Sequence, residues 1–477
     1  MCLRRIQCLV AVAAGFAAMS SLAAIHYVDA SGTNPVSPYA NWVTAATNIQ
    51  DAVDAASPGE QIMVTNGVYA AGGRNWYGSG TNRVTLTNSV TLQSVNGPAV
   101  TMIVGGMAAG QNLTTATRCV YMDSHSVLSG FTLTNGEAGG GNYPGGGGVS
   151  GGTATNCVLI NNLATNNLGG GAYRSTLINC KLIGNSAGKG GGASSCTLIN
   201  CLVVSNTASG SGGLSATFKG GGVYGDSTVG ASSLTNCTLV GNAAAGTGGG
   251  VDNEGNGAMQ NCLVYYNTAP TGSNYANIKL NFCCTVPTLS GDLGSFTNAP
   301  MFLNLAGEDF HLQTNSPCIN AGNNGYAANA TDLDGHPRIA GGTADIGAYE
   351  FQSPASVLSY AWAQQYGLPT DGSADYLDSD GDGMNNWQEW IAGTNPTNAT
   401  SVLKVLAPPA TNNASGIKIT WQSVLGKYYS VQRATNLGVP SPFTTIVSGI
   451  FGQNGTTSYT DTTATNPVPY FFRIGVP

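Results

Sequence analysis

The sequence predicts an all-β chain built on a parallel β-helix, a solenoid in which every coil adds one strand to each of several sheets. Three observations carry that prediction. Asn-Cys occurs five times, at Asn156-Cys157, Asn179-Cys180, Asn200-Cys201, Asn236-Cys237 and Asn261-Cys262. A further asparagine follows five residues after each of these cysteines, at Asn162, Asn185, Asn206, Asn242 and Asn267. Gly-rich runs separate the units, at 145–148, 169–171, 190–192, 220–222 and 248–250.

The cysteines are spaced by 23, 21, 36 and 25 residues. A unit of roughly 20–25 residues is the signature of stacked supersecondary units. Helical repeats are excluded, because each glycine of a Gly run costs about 1 kcal/mol in a helix. The apolar stretches, such as Leu159-Ile160, Leu182-Ile183 and Leu239-Val240, are short and strand-like. Adding a coil advances the solenoid by about 4.8 Å, so like residues stack into columns. A cysteine column fills the interior with small polarisable groups. Asparagine tolerates the left-handed backbone of a tight corner, and its amide can bond from coil to coil. The 36-residue gap predicts a loop near 209–219.

The Asn-Cys-x-Leu-x-x-Asn pattern with Gly-Gly-Gly corners resembles secreted bacterial right-handed parallel β-helix proteins of the pectate-lyase-like superfamily. The stretch Ala344-Asp345-Ile346-Gly347-Ala348-Tyr349-Glu350-Phe351 resembles the closing stretch of their choice-of-anchor relatives. The resemblance implies the fold. It leaves the activity open, since that fold carries lyases, hydrolases, adhesins and non-catalytic surface proteins.

The chain has 477 residues, 42% apolar and only 8% charged, with a net charge of −7. Two to four domains fit this length. The absence of a basic patch argues against nucleic acid as a partner. Residues 1–23 read as a secretory signal: Arg4 and Arg5, an apolar core from Cys8 to Ala18, then Ser21-Leu22-Ala23. A buried helix is the alternative. Cys8 stands at the start of the apolar core and not after it, so it is not a lipoprotein cysteine, and no later run is long enough for a membrane span. A secreted or cell-surface monomer is expected. Of twelve cysteines, ten lie beyond Cys2 and Cys8. The ladder cysteines read as free buried thiols, with disulfides as the alternative in an oxidising compartment. No Cys-x-x-Cys pair exists, which argues against zinc.

Four regions follow: 1–23 signal, 24–351 solenoid, 352–400 calcium-binding linker, and 401–477 a small fibronectin-like antiparallel β-sandwich. Residues 25–28 read as a strand. Residues 45–56 carry Ile49, Ala52, Val53 and Ala56 at helical spacing, a helix capping the open first coil. Residues 127–136 form a degenerate coil with Phe131 at the cysteine position. After Asn267 the units lose register. A short helix is predicted within 357–367. Alternation at 417–421, 428–433 and 470–476 predicts the sandwich.

The strongest chemical signal is Asp378-Ser-Asp380-Gly-Asp382-Gly383-Met384-Asn-Asn386-Trp-Gln-Glu389, which matches the EF-hand-type loop pattern in full. Asp378, Asp380 and Asp382 would give side-chain oxygens to Ca2+, Met384 its carbonyl, Asn386 a side chain or water, and Glu389 a bidentate carboxylate. The alternative is a solvated acidic turn. The loop resembles those of dockerin and thrombospondin type 3 repeats. A dockerin needs a second copy, of which 371–375 is only a fragment, so a structural calcium clamp is the favoured reading. The acidic turn 332–338 reads as an Arg338 pair with Asp345 or Glu350, against a metal site.

On the solenoid, counting four residues on from the Gly runs places Asp226 and Glu254 in one column, with Asp252 close by. They could act as acid and base, hold a cation, or simply line a wet rim. Arg174 and Lys219 are the nearest cations. Trp76, Tyr77, Tyr143, Tyr173 and Tyr224 could stack on sugars, with corner packing as the alternative; Tyr173, Tyr224 and Arg174 are the substrate-binding candidates. His26, His125, His311 and His336 read as structural. The pattern of polygalacturonases and the arginine motif of pectate lyases are both lacking. The reading that follows is a protein binding extracellular polysaccharide or cell-surface glycan, or mediating adhesion. The alternative is a lyase or hydrolase acting on uronic acid-containing polysaccharide.

Overall fold

The computed structural model describes residues 23–76, 80–106, 116–138, 145–210, 218–288, 292–327, 329–406, 416–465 and 468–476. Residues 1–22 of the signal, Tyr77 and Tyr143 lie outside the described residues. The chain is a parallel β-helix. A ten-stranded sheet (I), two nine-stranded sheets (II and III) and a four-stranded sheet (IV) run along it, and nearly every pairing within them is parallel. One coil shows the path. Thr176–Ile178 lies in sheet I, Lys181–Ile183 in sheet II, Ser186–Lys189 in sheet IV and Ala193–Ser194 in sheet III, before Thr197–Ile199 re-enters sheet I.

The register makes the columns. Leu177, Leu198 and Leu234 stack inward in sheet I, and Leu159, Leu182, Val203 and Leu239 in sheet II. All are fully buried, as are Cys157, Cys180, Cys201, Cys237, Cys262 and Cys283 at the corner between these sheets. Phe131 is buried in register with Cys157, as the degenerate coil predicts.

The two asparagines of the repeat have separate tasks. Those before cysteine, Asn156, Asn179, Asn200, Asn236 and Asn261, take φ values of 50 to 55°. That left-handed conformation turns the corner, and asparagine accepts it at low cost. The second set is buried. Asn162 Nδ2 donates to Asn185 Oδ1, Asn185 to Asn206, Asn206 to Asn242 and Asn242 to Asn267, each at 2.9 Å. Each acceptor oxygen also receives the main-chain N–H of the preceding asparagine.

Helix α1 (Ile49–Ala55) closes the first coil, burying Ile49, Ala52 and Val53. Asn48 caps it. Gln50 seals the exposed strand edge: its Oε1 accepts from Thr85 N at 2.7 Å and its Nε2 donates to Thr85 O at 3.3 Å. Edge amides left bare would bind another chain.

Beyond the last coil the chain folds back. The outward side chains Leu202, Val204, Val240 and Leu263 of sheet II are buried under Phe302, Phe310, Ile319, Ile346 and Ala348. Residues 323–327 and 329–331 lie back along the asparagine corner. Asn261 Nδ2 donates to Asn323 O (2.9 Å), Asn236 Nδ2 to Tyr326 O (3.0 Å) and Asn200 Nδ2 to Thr331 O (2.6 Å). Arg338, fully buried, bonds Asp345 O and reaches Glu350 at 3.3 Å.

Helix α2 (Tyr360–Gln365) and helix α3 (Asn386–Ala392) follow. The chain ends in two three-stranded antiparallel sheets. Ile419 and Trp421 of one, with Tyr429 and Val431 of the other, form their shared core. The strands Thr444–Phe451 and Gly455–Asp461 were not anticipated from sequence. Among the described residues, no helix is long and apolar enough to cross a membrane.

Candidate functional site

Among the described residues, two places gather the metal and solenoid candidates singled out from sequence. The first is the loop before α3. The helix starts there because Asn385 and Gln388 form a reciprocal capping box, and it stops at Gly393, whose φ is 78°. Gly381 and Gly383, with φ of 80° and 97°, bend the loop so that oxygens of Asp378, Asp380 and Asp382 come within 4.8 Å of one another.

Part of each carboxylate orders the loop. Asp378 Oδ1 accepts from Gly381 N (2.8 Å) and its Oδ2 from Gly383 N (3.0 Å). Asp380 Oδ1 accepts from Asp382 N, and Asp382 Oδ1 from Met384 N at 2.7 Å. What remains is unsatisfied. Asp380 Oδ2, Asp382 Oδ2, Asn386 Oδ1 and Glu389 Oε2 are shielded from solvent without a hydrogen-bond partner. Glu389 is fully buried, and burial, then Asp380, Asp382 and Asp378, pushes its carboxyl up to about 7. Buried oxygens without donors and like charges without a counter-charge are costly. A hard divalent cation would satisfy both, so the residues present fit calcium. The fragment 371–375 does not repeat this arrangement. Asp371 caps Ser373, and Asp375 accepts from Ser356 Oγ (2.6 Å) and Val357 N (3.0 Å).

The second place is the corner from sheet III to sheet I. An outward column runs Tyr121, Ser150, Tyr173, Ser194, Tyr224, Asp252 in register along sheet III. Tyr173 and Tyr224 are 5% and 1% exposed, so the rings expected on the surface are buried instead. The reason lies in the Gly corners. A Cβ on Gly190 would stand 3.1 Å from Ser194 Cβ, and one on Gly248 2.7 Å from Asp252 Cβ. Without side chains there, the end of sheet IV folds tightly against the outer face of sheet III. Lys189, Lys219 and Thr247 pair in that order along this edge, opposite the column.

Polar contacts join the two walls. Lys189 Nζ lies 4.9 Å from the centre of the Tyr224 ring and 3.3 Å from its hydroxyl. Tyr224 Oη donates to Glu254 Oε2 at 2.6 Å, and Lys219 pairs with Glu254 Oε1. Lys219, then Tyr224, holds the Glu254 carboxyl below its usual range. Burial, then Glu254, raises the Tyr224 hydroxyl. Asp252 is fully buried, bonded by Asn277 Nδ2 at 2.8 Å and by the Thr247 hydroxyl. Asp226 is diverted into its own turn, accepting from Thr228 N (2.7 Å) and Val229 N (3.0 Å). Burial lifts its carboxyl, but the Thr228 and Val229 donors overcome this and keep it low. The three carboxylates thus sit in separate hydrogen-bonding settings.

Two open hollows flank this network on the same corner. One, about 350 Å³, is lined by Tyr121, Ser150, Thr153, Tyr173, Arg174 and Thr176. The other, about 620 Å³, is lined by Ser227, Asn253, Glu254, Asn256, Asn277 and Lys279. Arg174 reaches the first from a left-handed turn position, φ 51°. Tyr121, Asn253, Asn256 and Asn277 were not singled out from sequence. Tyr121 could have been, by extending the Tyr173–Tyr224 column two sheet positions toward the N-terminus, past Ser150. Three of the four histidine rings have side-chain partners: His26 meets Glu60 at 2.9 Å, His125 meets Ser124 Oγ at 3.2 Å, and His311 stands between Asp309 and Asp334.

With the geometry described, comparison with known proteins adds the following. Residues 378–399 match the bacterial TSP3 repeat. A crystal structure of pectate lyase Pel9A is similar at 17% identity over 68% of this chain and 96% of its own, with a TM-score of 0.38. No curated protein matches the chain.

Proposed function

We propose that this is a secreted or cell-surface β-helix protein that binds extracellular polysaccharide along the corner between sheets III and I. The observation that carries the reading is the pair of open hollows there. Their linings are rich in asparagine, serine and threonine, with Tyr121, Tyr173 and Arg174 at one end. Amides and hydroxyls suit sugar hydroxyls, and Tyr121, partly exposed, offers a ring face.

Binding is favoured over catalysis because each candidate carboxylate is committed. General acid catalysis wants a carboxyl raised toward neutrality. Glu254 and Asp226 are instead held low, and Asp252 is enclosed. In this reading Ca2+ is held by Asp378, Asp380, Asp382, the Met384 carbonyl, Asn386 and Glu389, and stabilises the linker between the solenoid and the C-terminal sheets.

The test is affinity electrophoresis across neutral and uronic acid-containing polysaccharides, with unsaturated products and reducing ends assayed in parallel. Retardation by at least one polysaccharide, weakened about tenfold in Tyr121→Ala and Asn277→Ala, is expected. Retardation by none, or chain cleavage abolished by Glu254→Gln, would overturn the reading in favour of adhesion or catalysis respectively.

A further inference from the structure

We propose that Cys284 and Cys318 form a disulfide that fastens the returning segment 293–351 to the last coil. The proposal does not depend on polysaccharide binding.

Strand parity separates the two neighbouring cysteines at 283 and 284. Cys283 points inward and continues the ladder above Cys262. Cys284 stands in register with Leu263, on the outward side of sheet II that the returning segment covers. Cys318 belongs to that segment. Its amide is held by Ser316 Oγ at 3.2 Å, and its carbonyl accepts from Ile346 N at 3.0 Å. Both sulfurs are fully buried in one apolar cluster, meet side chain to side chain, and lie near the same ring, Tyr265. They come from two separate stretches of backbone, Cys284 from the last coil and Cys318 from the segment that covers it.

The ladder thiols are placed differently. They sit in register on adjacent coils with their side chains parallel, and each donates to the carbonyl two residues before it, whereas Cys284 donates across to Asn298 O of the returning segment at 3.2 Å. Cys180 bonds Ile178 O, for example, and Cys201 bonds Ile199 O, both at 3.3 Å. Side chains that run parallel do not converge into a disulfide without moving the coils.

In the structure both residues are thiols. The oxidant required is a small disulfide such as oxidised glutathione. One protein thiolate attacks it, forming a mixed disulfide and releasing one glutathione thiol. The second protein thiolate then displaces the other glutathione. Two protein thiols are oxidised and one small disulfide is reduced to two thiols, with no other reagent. Because both sulfurs are buried, the exchange belongs to folding, before the segment closes over the coil.

The experiment refolds the reduced, unfolded chain in a glutathione redox buffer, alkylates remaining thiols under denaturing conditions, and maps the peptides by mass spectrometry. A single linked pair, Cys284 with Cys318, is expected, with the ladder cysteines alkylated. The oxidised protein should melt roughly 5 °C or more above the reduced one. That difference should vanish in Cys318→Ser and in Cys284→Ala. Alkylation of both residues, a link to a ladder cysteine, or a redox difference that persists in both variants would overturn the proposal. The linkage map of the unaltered protein decides alone if neither variant folds.

Discussion

The ammonium of Lys427 lies 3.2 Å from the carbonyl oxygen of Trp390. Trp390 is in the last turn of α3, where carbonyls lack partners within the helix and carry the negative end of its dipole. Lys427 belongs to the turn between Ile417–Ser423 of one C-terminal sheet and Tyr428–Ala434 of the other. The helix that ends the acidic loop is therefore held by the module that follows it. Lys427→Met keeps the apolar stem and removes the donor. It is expected to cost about 1 kcal/mol, read as an earlier urea transition in the fluorescence of the buried Trp421. An unchanged midpoint would mean that the contact contributes nothing.

Calcium at a hundred times its dissociation constant should stabilise the same region by about 2.7 kcal/mol. Calorimetry with calcium and with chelator should show the shift in the native protein and lose it in Asp382→Ala and in Glu389→Gln. Equal melting under both conditions in the native protein would contradict a calcium site.

Within the asparagine column, Asn206→Ala removes the acceptor for Asn185 N and Nδ2 and the donor to Asn242 Oδ1. Each stranded buried group costs about 1–3 kcal/mol, so a total loss of several kcal/mol is expected by urea denaturation. Asn179→Gly, at the left-handed corner, should be tolerated within about 1 kcal/mol, while Asn179→Val should not. Equal costs for Asn179→Gly and Asn206→Ala would show that the two asparagines do not have separate roles.

Burial raises Asp345 to about 7 and Glu350 to about 8, against an ordinary carboxyl near 4. Between these values the folded chain holds protons that the unfolded chain has released. The stabilising contribution is complete below pH about 4 and is lost as pH rises through 7 to 8. The closing segment should accordingly melt earlier at pH 9 than at pH 6, and Glu350→Gln should flatten the dependence. Greater stability at pH 9 would reverse the sign of the argument.

The solenoid was legible because its coil is a local object. Corner asparagine, ladder cysteine and Gly run all recur within one unit, and their spacing alone implies stacking. The acidic loop was legible for the same reason. The corner between sheets III and I was only half so. Counting from the Gly runs put Asp226 level with Glu254 along the backbone, yet the turn closed by the Asp226–Gly230 bridge carries the Asp226 carboxylate into its own hydrogen bonds. Tyr173 and Tyr224 were read from their shared position after the Gly runs as sugar-stacking rings, with corner packing as the alternative. That position says nothing of Lys189 and Lys219, which the Gly corners fold over the same column. The return of 323–327 and 329–331 along the asparagine corner left no trace either, since bonds such as Asn200 to Thr331 span 131 residues without any repeat to announce them.

The asparagine column also has a direction. Between side chains, each amide gives one proton to the asparagine oxygen of the next coil toward the C-terminus, while its other proton goes back to a carbonyl of the coil before. The chain of donors begins where Asn162 Oδ1 receives Gly136 N and ends where Asn274 Nδ2 gives to Val286 O. Residues 176–196 therefore start and finish on the same chemistry. A gene that gained or lost that stretch in frame would leave no amide stranded, so the solenoid can change length during descent by whole turns while its two ends are inherited unchanged. A chain lacking residues 176–196 is expected to fold, with the same strand content per residue by circular dichroism; a deletion of half that length is not.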